Sequence, residues 1–147
     1  FEFPSDATLG LLPGKSYFWK IMILDASDLL AGEPEDYPSG SFSIQGISLN
    51  SPSDQSQEVS VTPILMWEGP IGVSKYMLEL ALESNSIDNS LYNTFTESSF
   101  FSYPDYAPTL DSETKYRWRI TPMDASGNKG ASSEEFIFTT SLPQNLM

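Results

Sequence analysis

The chain has 147 residues, 39% of them hydrophobic and 13% aromatic, apolar material for one ordinary domain plus a remnant. Seven Lys and Arg stand against twenty Asp and Glu, a formal charge of −13, which disfavours nucleic acid and anionic membrane surfaces as partners. Cys and His are both absent, so there is no disulfide framework, no thiolate nucleophile, no Cys/His zinc site and no imidazole base.

No apolar run approaches the roughly 20 residues of a membrane span, so no membrane insertion is expected within this segment. The start at Phe1, without Met or a targeting segment, reads as a piece of a longer polypeptide. In chain order, the first apolar pieces are Phe1-Glu-Phe-Pro4, Leu11, Tyr17-Phe-Trp19 and Phe42-Ser-Ile44, with a hinge at Gly46. Next come Ile47–Leu49, a turn at Ser51–Asp54, then Thr62–Trp67 and the turn Glu68-Gly69-Pro70. Between Ser74 and Glu83 the residues alternate, setting Tyr76, Leu78, Leu80 and Leu82 on one face and Lys75, Met77, Glu79 and Glu83 on the other. Leu91–Phe95 and Ser99–Tyr103 follow, then the alternating Tyr116-Arg-Trp-Arg-Ile120 and finally Glu135–Thr140. Seven short strands spaced by turns predict an all-β sandwich, and no segment reads as a helix.

The chain repeats itself. Leu11, Tyr17, Trp19, Ile21, Asp25, Ala26 and Ser27 return as Leu110, Tyr116, Trp118, Ile120, Asp124, Ala125 and Ser126, each 99 positions later. Phe1-Glu-Phe-Pro4 matches Phe101-Ser-Tyr-Pro104, and Phe42-Ser-Ile44 is aligned with Phe136-Ile-Phe138. A period of this length is a domain, not a solenoid unit. Residues 47–141 therefore read as one complete domain, residues 1–46 as the last three strands of another copy, and residues 142–147 as a linker or tail.

Residues 47–140 resemble a fibronectin type III domain of the bacterial extracellular kind, an immunoglobulin-like β-sandwich. The resemblance rests on Pro63-Ile-Leu-Met-Trp67, Tyr76-Met-Leu-Glu-Leu80, Leu110-x5-Tyr116-x-Trp118, Asp124-Ala-Ser-Gly-Asn128 and Phe136-Ile-Phe-Thr139. Residues 1–45 resemble strands E, F and G of a preceding copy. The resemblance implies tandem modules used as spacers, in adhesion or as accessory regions. It implies no catalytic residues and no cofactor, with protein as partner: neighbouring domains or subunits of a secreted or cell-surface protein.

On this reading Tyr17, Trp19, Trp67, Tyr76, Leu110, Tyr116, Trp118, Phe136 and Phe138 belong to cores, and all three tryptophans are unavailable to a sugar ring. Tyr116, with Leu110, takes the place of a tyrosine corner. Arg117 and Arg119 face outward beside Glu79 and Glu83, where cross-strand ion pairs are expected. If Leu65, Trp67, Phe101 and Tyr103 point inward, the pleat turns Ile64, Met66 and Phe100 outward on neighbouring strands as one apolar patch. Phe18, standing where Arg117 stands in the second copy, marks another face that meets something. These four are the candidate interface residues. The carboxylates of Asp25, Asp28, Glu33, Glu35 and Asp36 read as a solvated loop, since their spacing fits no EF-hand. The alternative role is the accessory region of a larger carbohydrate-active enzyme, with polysaccharide held weakly by Tyr92, Tyr106 or Tyr37.

A half sandwich leaves Phe1, Phe3, Tyr17, Trp19, Ile21, Phe42 and Ile44 without half of their cover. At about 1.5–3 kcal/mol for each buried side chain, that loss exceeds what most domains can spare. The cover comes either from upstream strands of the natural chain or from another subunit, as in donor-strand assembly.

Overall fold

The alternating segments after residue 47 close into two facing sheets. Residues 14–143 are described, in a computed structural model, as strands β1 (Ser16–Lys20), β2 (Ser39–Ser43), β3 (Ser48–Ser51), β4 (Ser56–Val59), β5 (Ile64–Glu68), β6 (Lys75–Leu82), β7 (Tyr92–Thr96), β8 (Phe100–Ser102), β9 (Lys115–Met123) and β10 (Phe136–Thr140). The pieces Phe1–Pro4 and Leu11, and the tail from residue 144 onward, lie outside the described residues. One sheet has the order β3-β5-β8; the other runs β4-β10-β9-β6-β7. This is a fibronectin type III-like sandwich, in which β5, β6, β7, β8, β9 and β10 take the places of strands B, C, C′, E, F and G.

Period-two patterning explains the core. Leu65 and Trp67 from β5 and Leu49 from β3 meet Tyr76, Leu78 and Leu80 from β6, Tyr116, Trp118 and Ile120 from β9, and Phe138 from β10. Leu110 and Tyr103 close the ends, and Phe136 is half-buried against the same cluster. Phe138 stacks on Tyr116 at 5.9 Å, while Phe136 stands edge-on to Trp118 at 6.4 Å. Each large side chain withdrawn from water here stabilises the fold by about 1.5–3 kcal/mol.

The strand at 56–59 is one the hydrophobic pattern does not announce, since Ser56-Gln57-Glu58-Val59 has a single apolar residue. It forms because the chain leaves the smaller sheet after β3, at the cis peptide Ser51–Pro52, and joins the larger one parallel to β10. Asp54 Oδ1 accepts from the Ile137 N–H at 2.9 Å and the Gln55 N–H donates to the Ile137 carbonyl at 2.7 Å, fixing that crossing.

The first segment forms a hairpin that repeats the strand pairing and the turn bonds of β9–β10. Tyr17 pairs with Phe42 as Tyr116 pairs with Phe138, and the rings stack at 5.7 Å. In the turns, Asp25 Oδ1 accepts from Ser27 and Leu29 (2.7 and 3.1 Å), as Asp124 Oδ1 accepts from Ser126 and Asn128 (2.9 Å each). The bridge Leu24–Leu30 returns as Met123–Lys129, and positive φ falls at Asp28 and at Gly127. Tyr17 and all the turn positions keep the 99-residue offset, whereas Phe42 and Phe138 are 96 apart.

Two expectations need correction. By register Phe42 matches Phe138, not Phe136, and the place of Phe136 is taken by Gly40, opposite Trp19. Nor are Tyr17 and Trp19 core residues among the described part of the chain: Tyr17 is half-buried and Trp19 is 44% exposed. Their counterparts are covered by β6 and by the facing sheet, and the described part of the first segment has neither. Trp19 lies against Gly40, where an added Cβ would come within 3.0 Å of the indole. The base of the hairpin meets the second unit at Gly14, which has φ +73° and leaves 2.7 Å between a built Cβ and the Cβ of Ala131. A side chain there is excluded twice over.

Candidate interaction surfaces

The pleat of β5 and β8 gathers the expected patch. With Leu65 and Trp67 buried, Ile64 and Met66 point away from the core, and Met66 stands directly across from Phe100 in the strand pairing. Ile64, Met66 and Phe100 are 56%, 47% and 55% exposed, one apolar strip on the outer face of the three-stranded sheet. Lone exposed apolar residues need no cause, but a contiguous strip is how contact surfaces are built.

The outer face of the larger sheet is ionic. Arg119 Nε and Nη2 meet Glu79 at 2.7 and 3.2 Å, and Nη2 reaches Asp88 at 2.9 Å. The paired Glu79, with burial acting against it, raises the Arg119 pKa. Glu79 is 8% exposed although it lies on the outward side of β6, because the guanidinium covers it. Arg117 does not pair with the Glu83 carboxylate as expected; it meets Glu135 at 2.9 Å and donates to the Glu83 carbonyl. Glu83 lies just past the end of β6, where its N–H still donates to the Lys115 carbonyl at 2.9 Å.

Tyr116 behaves as a corner residue. Its hydroxyl accepts the Asp111 N–H at 2.8 Å, and burial raises its pKa despite that bond. Tyr103 donates to the Pro108 carbonyl at 2.7 Å, and burial pushes its pKa up to about 12. At the β9–β10 turn, the Asn128 side chain and backbone hold the Asp124 carboxyl below its ordinary value.

The aromatic residues considered for sugar divide. Tyr37 is buried, with its hydroxyl on the Gly32 carbonyl at 3.3 Å, and Tyr92 packs on Phe101 and Tyr103. Tyr106 stands out at 85% exposure, and the exposed Trp19 joins it as a ring open to water. Among the described residues, no three or more acidic side chains converge into a site for a metal ion. No helix there is long and apolar enough to cross a membrane.

Sequence reasoning missed one surface. Phe18 is 87% exposed as expected, yet Ile21, Met22, Ile23, Leu24, Leu29 and Leu30 are exposed too. Their counterparts Ile120, Thr121 and Pro122 are buried, while Asn128 and Lys129 are polar. Laying the two copies side by side gives the signal, since Leu29-Leu30 replaces Asn128-Lys129.

No family model matches the chain, and no curated protein does either. Solved structures are similar to it. One is Streptomyces avermitilis α-L-rhamnosidase complexed with L-rhamnose, with TM-score 0.54, 18% identity, 66% of this chain and 11% of the rhamnosidase covered. Another is the FN1–FN3 domains of chicken CNTN1, with TM-score 0.48 and 14% identity, covering 93% of this chain and 46% of the other. The chain thus spans about a tenth of the first and under half of the second.

Proposed function

We propose that this chain is a non-catalytic spacer and protein-interaction module of a secreted or cell-surface bacterial protein, and part of a surface assembly. Residues 47–141 are its complete sandwich unit, residues 1–46 the strand E–F–G end of a second, and residues 142–147 a linker. The matching hydrogen bonds of the two hairpin turns support the tandem reading. The interaction role is carried by one observation, the outward strip of Ile64, Met66 and Phe100. Its chemistry is shape and apolar contact with a protein, without a covalent step.

A photo-crosslinking residue in place of Phe100 tests this on the producing cell. The expected result is a discrete protein adduct that is lost when Met66→Asp is added and that is not formed from Asn93. Adducts equal in number and kind from Phe100 and Asn93 contradict the reading.

A second reading is favoured by the exposed rings of Trp19 and Tyr106 and by the likeness to part of a rhamnosidase. On it, the chain is an accessory region of a larger carbohydrate-active enzyme and holds polysaccharide weakly by stacking. Titration with soluble glycans separates the two: a saturable change in Trp19 fluorescence favours the accessory role, and a flat response removes it.

A further inference from the structure

The sandwich of the second unit has two sheets and so four edge strands, β3, β4, β7 and β8. Three of them carry devices that keep a sheet from adding strands. β3 shifts register between Leu49 and Ser51, and Pro52, which has no N–H, follows it. β4 shifts register against β10, with Glu58 in the left-handed region at φ +57°. β8 is three residues long. The fourth edge, β7, has none of these. Tyr92-Asn-Thr-Phe-Thr96 pairs with β6 at five successive positions without a shift, and neither a charge nor a proline interrupts it. Among the described residues β6 is its only neighbour in the sheet.

The backbone of β7 divides its bonds by residue parity. The Glu83 N–H donates to the Lys115 carbonyl, and bonded positions alternate along an antiparallel ladder. The odd-numbered residues of β6 therefore bond β9 and the even-numbered ones bond β7. Tyr92, Thr94 and Thr96 spend their backbone groups on β6, while Asn93 and Phe95 turn theirs away from it. Both of those side chains lie on the exposed side of the strand, and Phe95 is 58% exposed. We propose that β7 is a homotypic docking edge, at which two copies of this chain pair antiparallel about a two-fold axis at Thr94.

The strand fits itself. In this register Asn93 lies opposite Phe95 of the second copy, and the reverse, so each of the two residues exchanges both backbone bonds. The two Phe95 rings become diagonal neighbours on one face, within aromatic reach. Glu97, the charge that ends the edge, falls opposite Leu91 of the second copy and not opposite another Glu97. From Asn89 to Thr96 the sequence has no charged residue, so two acidic chains meet where no like charges are opposed. A charged strand from another protein would find nothing there to pair with. The remaining repulsion between two chains of charge −13 is long-range and is screened by salt. This edge belongs to the larger sheet, apart from the strip on β5 and β8, and does not depend on it.

The test is light scattering of the intact chain from about 1 μM to about 1 mM, with amide exchange followed at Asn93 and Phe95. The expected result is a concentration-dependent dimer that strengthens as salt rises, with exchange at those two amides slowing in step. Phe95→Glu should abolish the dimer, and adding Asn93→Lys should restore it, because positions 93 and 95 of opposite copies stand face to face. Met66→Asp should leave it intact. A monomer at every concentration overturns the proposal. Slow exchange at both amides already in the dilute monomer shows the edge covered within the chain, and overturns it as well. A dimer that survives Phe95→Glu but is lost with Met66→Asp runs through the strip on β5 and β8; it overturns this proposal and leaves the proposed function standing.

Discussion

Tyr116 shows how one hydroxyl can hold a crossing between sheets: its ring stacks on Phe138 while its oxygen satisfies the Asp111 N–H. Tyr116→Phe keeps the ring and leaves that donor without its acceptor, a cost of about 1–3 kcal/mol, read as a lower urea midpoint with an unchanged slope. Trp118, with no exposed surface, is a heavier loss: Trp118→Ala should cost about 3–5 kcal/mol through the cavity it leaves. Tyr103 adds a pH dependence. Its folded-state pKa of about 12 lies above the unfolded value of about 10, so the folded chain keeps a phenol proton that the unfolded chain gives up. Stability from this group is therefore whole below about pH 10 and lost as pH climbs towards about 12. Tyr76 and Tyr116 shift the same way, also through burial. Urea midpoints should fall between about pH 10 and about pH 12, and Tyr103→Phe should flatten part of the fall. Asp124 acts at the other end. Its lowered pKa gives stability that is present above the ordinary carboxylate range and lost as pH drops through the folded value.

At the scale of elements, β6 and β9 form the middle of the larger sheet, and their outward pair Glu79–Arg119 is mostly covered. Removing one partner strands the other, whereas removing both does not. Arg119→Met should thus destabilise by about 1–3 kcal/mol, and adding Glu79→Leu should recover most of the loss, as a double-mutant cycle would measure. These two strands were the easiest to read from sequence, because Ser74–Glu83 and Tyr116–Ile120 set their large apolar residues at every second position. The patch on β5 and β8 was legible by the same logic: once Trp67 is inward, Met66 is outward. By contrast β4 was hidden, since backbone bonds to Ile137 hold it rather than side-chain burial. The alignment of Phe42 also slipped, because identity of residue type misled where pairing register decides. Trp19 was misjudged for a related reason. Its sequence position is that of a core residue, but burial depends on what lies opposite, which no local pattern encodes.

At the scale of the molecule, two hairpins with matching turn bonds sit in different surroundings. One is closed under a facing sheet and flanked by β6; in the other, Trp19 and Phe42 are partly exposed. That contrast, together with the strip on β5 and β8, makes this chain a molecule of surfaces. Gly14 ties the two parts, and Gly14→Val should loosen the contact with Ala131, seen as faster hydrogen exchange in β1 and β2 with the exchange of β6 and β9 unchanged.

The most direct measurement is acrylamide quenching of the intact chain and of Trp19→Phe. The account predicts that the intact chain has a quenchable tryptophan fraction, that Trp19→Phe abolishes it, and that the emission left from Trp67 and Trp118 resists the quencher. A quenchable fraction that survives Trp19→Phe would contradict the pairing of one closed and one open hairpin.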